Sequence, residues 1–340
     1  MKQISQIYTD VFHGSFATSH QLIFIAEGYV ASQENLFYKD VYEFLDKLVN
    51  IFPFNILKGN GNNQMFSTYI SFTSSSQSGY ATSQAAAQGR TVFETYFINN
   101  QLYANYAKIN SYIDELEYTN DDQLTYEVSS GLKKNGGNVM DGIQTNATQC
   151  LVFIILPKAN RPDVELEIYD SSTYYSILTS ADNFAEQVIL RAIGKMFSLG
   201  DEFDLPGIEY LTPTESQTDT ILHYYNNLYY APDINIGPNP SSDELFFWRS
   251  FFDKNYNYPV TLNKNPTPSI INRNLPEASV TYKEIELWEG AGGFRKDVYR
   301  SAEDCLMRRR IGDHTLPVKT QRVSFCPVCR ELLLGLFTMM

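Results

Sequence analysis

The amino-acid sequence predicts an α/β fold, in which a mixed β-sheet with helices is followed by a loop-rich C-terminal lobe. Two short β-rich segments, residues 21–26 and 150–156, carry mostly apolar side chains, and an amphipathic helical segment follows the first of them. Strands that alternate with helices are typical of sheets with parallel strands. After residue 204, proline, asparagine and tyrosine become frequent. We therefore expect an N-terminal lobe over residues 1–204 and a C-terminal lobe over residues 205–340.

The first predicted helix covers residues 32–50, directly after the first strand. Its apolar residues recur at steps of three and four, the spacing of a helix face that packs on a core: Leu36, Phe37, Val41, Phe44, Leu45 and Leu48. The charged residues of the segment fall at other positions: Glu34, Lys39, Asp40 and Lys47. Residues 66–72 predict a second strand.

The rest of the N-terminal lobe is predicted to hold a crossover, two helices and a buried strand. Residues 73–89, rich in Ser, Gln, Ala and Gly, predict a loop or a weakly structured crossover, and a tyrosine-rich helical stretch follows around residues 100–116. Residues 150–156 are apolar at every position, as in a strand buried on both faces. A helix is then expected from Ser180 to about Phe197, with one apolar face formed by Phe184, Val188, Ala192 and Met196.

The C-terminal lobe is predicted to be mostly loops. Residues 206–276 contain many turn-forming residues around one helix near 242–253. A glycine-rich turn at 290–293, a loop through Cys305 and Met307, and a closing helix near 326–337 complete this lobe.

Composition and charge exclude some classes of function. Hydrophobic residues make up 43% and charged residues 19% of the 340, which is the balance of a folded globular protein. The net charge of -13 repels phosphate backbones, so we expect no nucleic-acid partner. No segment has the roughly 20 consecutive apolar residues of a transmembrane helix. The first ten residues lack the pattern of a signal peptide, which by itself does not decide between cytoplasm and export.

Four segments stand out as motifs: Leu22-Ile-Phe-Ile-Ala-Glu-Gly-Tyr29, Leu199-Gly-Asp-Glu-Phe203, Trp288-Glu-Gly-Ala-Gly-Gly293, and Ser301-Ala-Glu-Asp-Cys-Leu-Met-Arg308 with Phe325-Cys-Pro-Val-Cys-Arg330. In this order they resemble the IgA-peptidase family of zinc metallopeptidases, and the resemblance extends over most of the chain from about residue 20. It implies a zincin-like, metzincin-like mixed sheet with an active-site-type helix. It also implies an extracytoplasmic or secreted protein, with a cytoplasmic one as the alternative.

The resemblance implies a zinc site on the helix that begins at Ser180. In the family this helix carries His-Glu-x-x-His, whose histidines bind zinc and whose glutamate activates the bound water. The matching stretch here reads Arg191-Ala-Ile-Gly-Lys195, so both ligand positions are cationic and the base position is Ala192. None of the chain's histidines has another His or a Glu at the required helical spacing: His13, His20, His223 and His314. We therefore expect no catalytic residues and no zinc.

Other positions resemble the surroundings of that site. Asp201 resembles the family's third, acidic ligand, and Met307 resembles the methionine of the turn beneath the zinc. Without the two histidines we favour structural roles, which for these residue types are a surface carboxylate and a buried methionine. Arg191 and Lys195 lie one turn apart, so Asp201 or Glu202 is expected to pair with them and replace the metal's charge. The alternative is that both cations extend into solvent.

The tail cysteines allow two interpretations. If the family's exported habitat applies, Cys305 forms a disulfide with Cys326 or Cys329 and ties the Met307 loop to the closing helix. In a reducing compartment, the three cysteines and His314 would instead suit a structural zinc site. Cys150, in the buried strand, is most simply a small core residue.

Two classes of function follow from the sequence. The favoured one is a noncatalytic pseudopeptidase that keeps a cleft for a peptide or protein. The alternative is an active metal-dependent endopeptidase or another hydrolase with an unrecognised site. Carboxylates for such an acid/base pair are Glu27, Asp201, Glu202 and Glu289. Of these, Glu27 more simply closes a turn between strand and helix.

Overall fold

The computed structural model describes residues 2–7, 12, 14–15, 19–50, 54–56, 65–99, 101–120, 125–127, 150–158, 165–169, 175–181, 193–194, 199, 236–238, 288–291, 294–300, 325, 329 and 333. The chain divides into two compact units. The first contains residues 1–138 and 145–192 with residue 340, and the second contains residues 139–144 and 193–339. The lobe boundary at residue 204 stays a prediction.

The first unit contains three described α-helices, α1 (Glu34–Leu48), α2 (Gln84–Ala87) and α3 (Tyr106–Asp114), and 3-10 turns at Ala31–Gln33 and Phe54–Ile56. Its described strands are β1 (Lys2–Gln3), β2 (Ser5–Ile7), β3 (His20–Ala26), β4 (Phe66–Ser71), β5 (Tyr96–Ile98), β6 (Gln101–Tyr103), β7 (Leu116–Thr119), β8 (Thr125–Glu127), β9 (Cys150–Leu156), β10 (Glu165–Tyr169) and β11 (Tyr175–Ser180). The described strands of the second unit are β12 (Ile236–Pro238), β13 (Trp288–Ala291) and β14 (Phe294–Arg300).

The main sheet of the first unit has six described strands in the order β10-β11-β9-β3-β4-β2. Its four inner strands run parallel, and the two outer ones, β10 and β2, are antiparallel to their neighbours. The protein is therefore α/β with a mixed sheet, as the sequence predicts. The three strands predicted at residues 21–26, 66–72 and 150–156 are confirmed as β3, β4 and β9.

The two faces of this sheet pack against different helices. Phe24 of β3 stacks on Phe153 of β9 with ring centroids 5.2 Å apart, and Phe44 of α1 meets the edge of Phe24 at 5.2 Å. Successive strand residues point to opposite faces, and Ile23 belongs to the core cluster that contains Ile109 of α3. With helices on both faces, β3 is buried at every position and β9 at every position after Cys150, which explains their apolar runs.

Several predicted details differ from the structure. Leu36, expected on the apolar face of α1, is 38% exposed, whereas Asp40 is buried. The helix predicted from residue 100 begins only at Tyr106, because Asn105 caps it by accepting a hydrogen bond from the Lys108 N–H, and β6 occupies residues 101–103. Ser180, expected to begin a helix, is instead the last residue of β11.

The predicted C-terminal elements fall largely outside the described residues. Of the glycine-rich turn predicted at 290–293, residues 290 and 291 belong to β13, in which Ala291 lies opposite Phe294 of β14, and residues 292 and 293 lie outside the described residues. Cys329 and Leu333 are helical, at the position of the predicted closing helix. The helix expected near 242–253 and the loop through Cys305 and Met307 lie outside the described part of the chain.

Candidate functional site

The positions that match the zinc motif are mostly outside the described residues. This holds for Arg191, Ala192, Lys195, Asp201 and Glu202, so their predicted pairing stays a prediction. The same is true of Met307, Cys305 and Cys326.

Three described residues give the local structure at the motif. Ile193 and Gly194 are helical, and Ile193 and Leu199 are buried. The Leu199 N–H donates to the Gly194 carbonyl oxygen at 2.8 Å, a bond that spans five residues. Bonds of this span close the C-terminal turn of a helix. Ile193 and Gly194 therefore belong to a helix, and Leu199 lies outside it.

The main sheet has a point at which its strand order reverses. β3 lies between β4, which follows it in the chain, and β9, which comes later. In open α/β sheets, ligands bind outside the carboxyl ends of the strands at such a point. Three described loops gather near the carboxyl ends of β3 and β4: residues 27–30, 73–81 and 89–95. We call them the carboxyl-edge loops.

Glu27 joins the first of these loops to the third. Its carboxyl group is fully buried. Oε2 accepts from the Phe93 N–H at 3.0 Å, and Oε1 accepts from the Thr95 hydroxyl at 2.8 Å. Burial raises the pKa of this carboxyl, and hydrogen bonds from Thr91, Thr95 and Phe93 oppose the rise. Because both oxygens already bind donors of the protein, the geometry favours a structural role over one in acid/base chemistry.

Gly28 brings the first loop against the second. Its φ of +69° is a left-handed conformation, and a Cβ at this position would collide with the carbonyl oxygen of Gly79. The Gly79 N–H donates to the Gly28 carbonyl at 2.8 Å, and the Gly28 N–H donates to the Ser75 hydroxyl at 3.0 Å. Ser75 also accepts from the Val92 N–H at 3.3 Å. One serine side chain therefore links all three loops.

Asp40 is a buried acid that the sequence did not single out. Its Oδ2 accepts from the Tyr29 hydroxyl at 2.8 Å, while Oδ1 is buried without a hydrogen-bond partner among the described residues. Burial raises the pKa of Asp40, and the Tyr29 hydrogen bond and the charge of Lys158 act against it. Tyr29 thus connects the carboxyl-edge loops to α1.

The side chain of Glu94 connects the third carboxyl-edge loop to the start of α3. It has a φ of +54°, which is uncommon for a residue with a side chain. Its carboxylate accepts from Lys108 Nζ at 2.7 Å, from Asn105 Nδ2 at 2.9 Å and from the Gly89 N–H at 3.3 Å. The hydrogen bond from Lys108, followed by that from Asn105, holds the pKa of Glu94 below its usual range. These bonds retain the loop in a strained conformation.

The remaining candidate residues do not form a described catalytic group. Glu289 lies in β13 of the second unit, and the structure does not describe its side chain. Cys329 is buried, and Cys150 is half-buried against the core cluster. Within the described ranges there is no group of three or more His, Cys, Asp or Glu side chains able to hold a metal ion.

No model of a protein family matches this sequence, and no curated protein is detectably similar to it. Among the described helices, none is both long and apolar enough to cross a membrane.

Proposed function

We propose that this chain is a noncatalytic relative of the IgA-peptidase family that binds a peptide or protein segment without cleaving it. The observation that carries the proposal is the sequence Arg191-Ala-Ile-Gly-Lys195 at the position of the zinc motif. A zinc peptidase needs two neutral imidazoles to hold the metal and a carboxylate to accept a proton from the bound water. This stretch provides neither.

Two features of the described residues support the zincin-like part of the proposal. The main sheet is mixed, with the antiparallel strand β10 beside β11 at one edge. β11 ends at Ser180, shortly before the motif, and Ile193 and Gly194 within the motif are helical. A mixed sheet with an active-site-type helix is what the resemblance implies.

In this proposal, charge replaces the metal. Two cations one helical turn apart repel each other, and an enclosed cleft would make them costly to desolvate. The acidic residues next along the chain are Asp201 and Glu202, two and three residues after Leu199. A salt bridge from either carboxylate to Arg191 or Lys195 would hold the former ligand loop against the helix.

The loss of catalysis is tested on the full chain purified without a histidine tag. We expect its zinc content, measured by plasma mass spectrometry, to be far below one ion per chain. We also expect no chelator-sensitive cleavage of a broad peptide mixture. Stoichiometric zinc together with chelator-sensitive cleavage would overturn the proposal and favour an active metal-dependent endopeptidase.

Peptide binding is tested separately, by selecting a displayed peptide library on the immobilised chain. The selected peptides are then measured against a variant with Arg191→Glu and Lys195→Glu. The matched control is Lys39→Glu with Lys47→Glu, the same change of charge at two exposed positions of α1. We expect the first variant to lose binding and the control to keep it. Equal binding by both variants, or no enriched peptide, would contradict a cleft at this helix.

A further inference from the structure

The β5–β6 hairpin carries an apolar group on the face that does not pack against the core. The two strands pair antiparallel, with Tyr96 opposite Tyr103 and Phe97 opposite Leu102. Leu102 belongs to the core cluster, and Phe97 packs against it. Because strand residues alternate between faces, Tyr96, Ile98 and Tyr103 lie on the other side of the hairpin. An exposed hairpin face is ordinarily polar.

A third tyrosine extends this surface. The rings of Tyr96 and Tyr103 are stacked, with centroids 5.0 Å apart and planes 10° apart. Tyr106, the first residue of α3, is 48% exposed, and Ile98 is 40% exposed. Tyr106 follows Tyr103 by three residues, and partial burial, followed by Tyr96 and Tyr103, raises its pKa. We call Tyr96, Ile98, Tyr103 and Tyr106 the tyrosine patch.

Stability of the hairpin accounts for only part of the patch. A cross-strand aromatic pair contributes about 0.2–1 kcal/mol, which explains the stacking of Tyr96 on Tyr103. It does not explain why Ile98 and Tyr106 stay exposed beside that pair. Apolar groups gathered on a surface and rimmed by polar residues are typical of binding sites.

The charge of the segment that carries the patch indicates what kind of molecule it fits. Residues 95–107 contain no charged side chain, although charged residues make up 19% of the chain. The two charged residues that border this segment, Glu94 and Lys108, neutralise each other across 2.7 Å. Among its described side chains, the segment supplies aromatic rings, phenol hydroxyls and the exposed amide of Asn99.

We infer that the tyrosine patch binds a neutral carbohydrate chain. The C–H face of a sugar ring is apolar and stacks on a tyrosine ring, while its hydroxyls exchange hydrogen bonds with phenols and amides. A neutral sugar offers no charge that would need a partner, and the patch offers none. This binding does not depend on the zinc motif or on the peptide cleft proposed above.

The test is native affinity electrophoresis of the full chain in gels that contain xyloglucan, galactomannan or laminarin, followed by a neutral glycan array. We expect retardation by at least one of these probes. Tyr106→Ala should weaken that binding about tenfold, the effect of losing roughly 1.4 kcal/mol of stacking. Tyr106→Phe should keep most of it, because the ring remains.

The matched control is Tyr42→Ala. Tyr42 is 50% exposed on α1 and lies outside the patch. It should bind the neutral glycans like the unaltered chain, and thermal melting checks that each variant is folded. Binding to none of the neutral glycans, or equal loss in the Tyr42 and Tyr106 variants, would overturn the inference. So would displayed peptides that bind through Tyr106 while neutral glycans do not.

Discussion

Replacing Glu27 should release the third carboxyl-edge loop. In Glu27→Gln one side-chain oxygen remains as an acceptor, but an amide N–H replaces the other. Since that nitrogen cannot accept, either the Phe93 N–H or the Thr95 hydroxyl loses its acceptor. A buried donor left without its acceptor costs about 1–3 kcal/mol. Glu27→Ala leaves both donors unpaired and should cost about 2–6 kcal/mol, a large part of the about 5–15 kcal/mol that stabilises a typical domain. We therefore expect Glu27→Gln to be the folded, informative variant.

The measurements are urea denaturation and hydrogen exchange at the Phe93 amide, which donates to Glu27 in the native state. The midpoint should fall, and this amide should lose protection. The control is Glu115→Gln, away from this loop, which removes an exposed ion pair with Lys2 worth about 0.2–1 kcal/mol. If Glu27→Gln leaves Phe93 protected, or costs no more than the control, the structural role of Glu27 is wrong.

Three further results are expected. Burial lowers the pKa of His20 to about 4, so the folded protein is expected to lose stability as the pH falls from 6.5 towards 4. This loss should be about 2 kcal/mol at about pH 5, and unfolding of His20→Gln should lack it. The pKa of Asp40 is raised, so the free energy of unfolding should fall as the pH rises through the folded pKa. Urea denaturation across pH should show this fall in the unaltered chain and in the exposed control Asp46→Asn, but not in Asp40→Asn. The zinc motif is restored by the triple variant Arg191→His, Ala192→Glu and Lys195→His. Calorimetric titration of this variant should find no zinc binding, because the surrounding hydrogen bonds and the loop must also fit, whereas micromolar affinity would show an intact scaffold.

The inner strands and the first helix were predictable because burial dictates their residue types. The runs at β3 and β9 are apolar on both faces, and α1 repeats its apolar residues at helical spacing. Strand β10 was missed, although Glu165-Leu-Glu-Ile-Tyr169 alternates polar and apolar residues as a half-buried strand does. Its short length made that signal weak.

The carboxyl-edge loops were less predictable because long-range contacts determine them. Asp40 is buried on α1, and the hydrogen bond that it accepts comes from Tyr29, outside the helix. Glu27 was noticed as a carboxylate, but its bonds cross 66 and 68 positions of sequence, a distance at which local patterns carry no information. The β5–β6 hairpin was likewise missed, and β6 lies where the first residues of a helix were predicted. The hairpin forms because Asn99 adopts the positive φ that a two-residue turn requires.

The meeting of Gly28 and Gly79 also determines how this protein could be altered by evolution or by engineering. A side chain at residue 28 would have to push the backbone of another loop aside, whereas the space around residue 79 is open and only its backbone angle favours glycine. Exchanging the loop after β3 for one from another protein would therefore require a matching exchange after β4. The two segments form one transferable part, and recombination that separates them should yield chains that fold poorly.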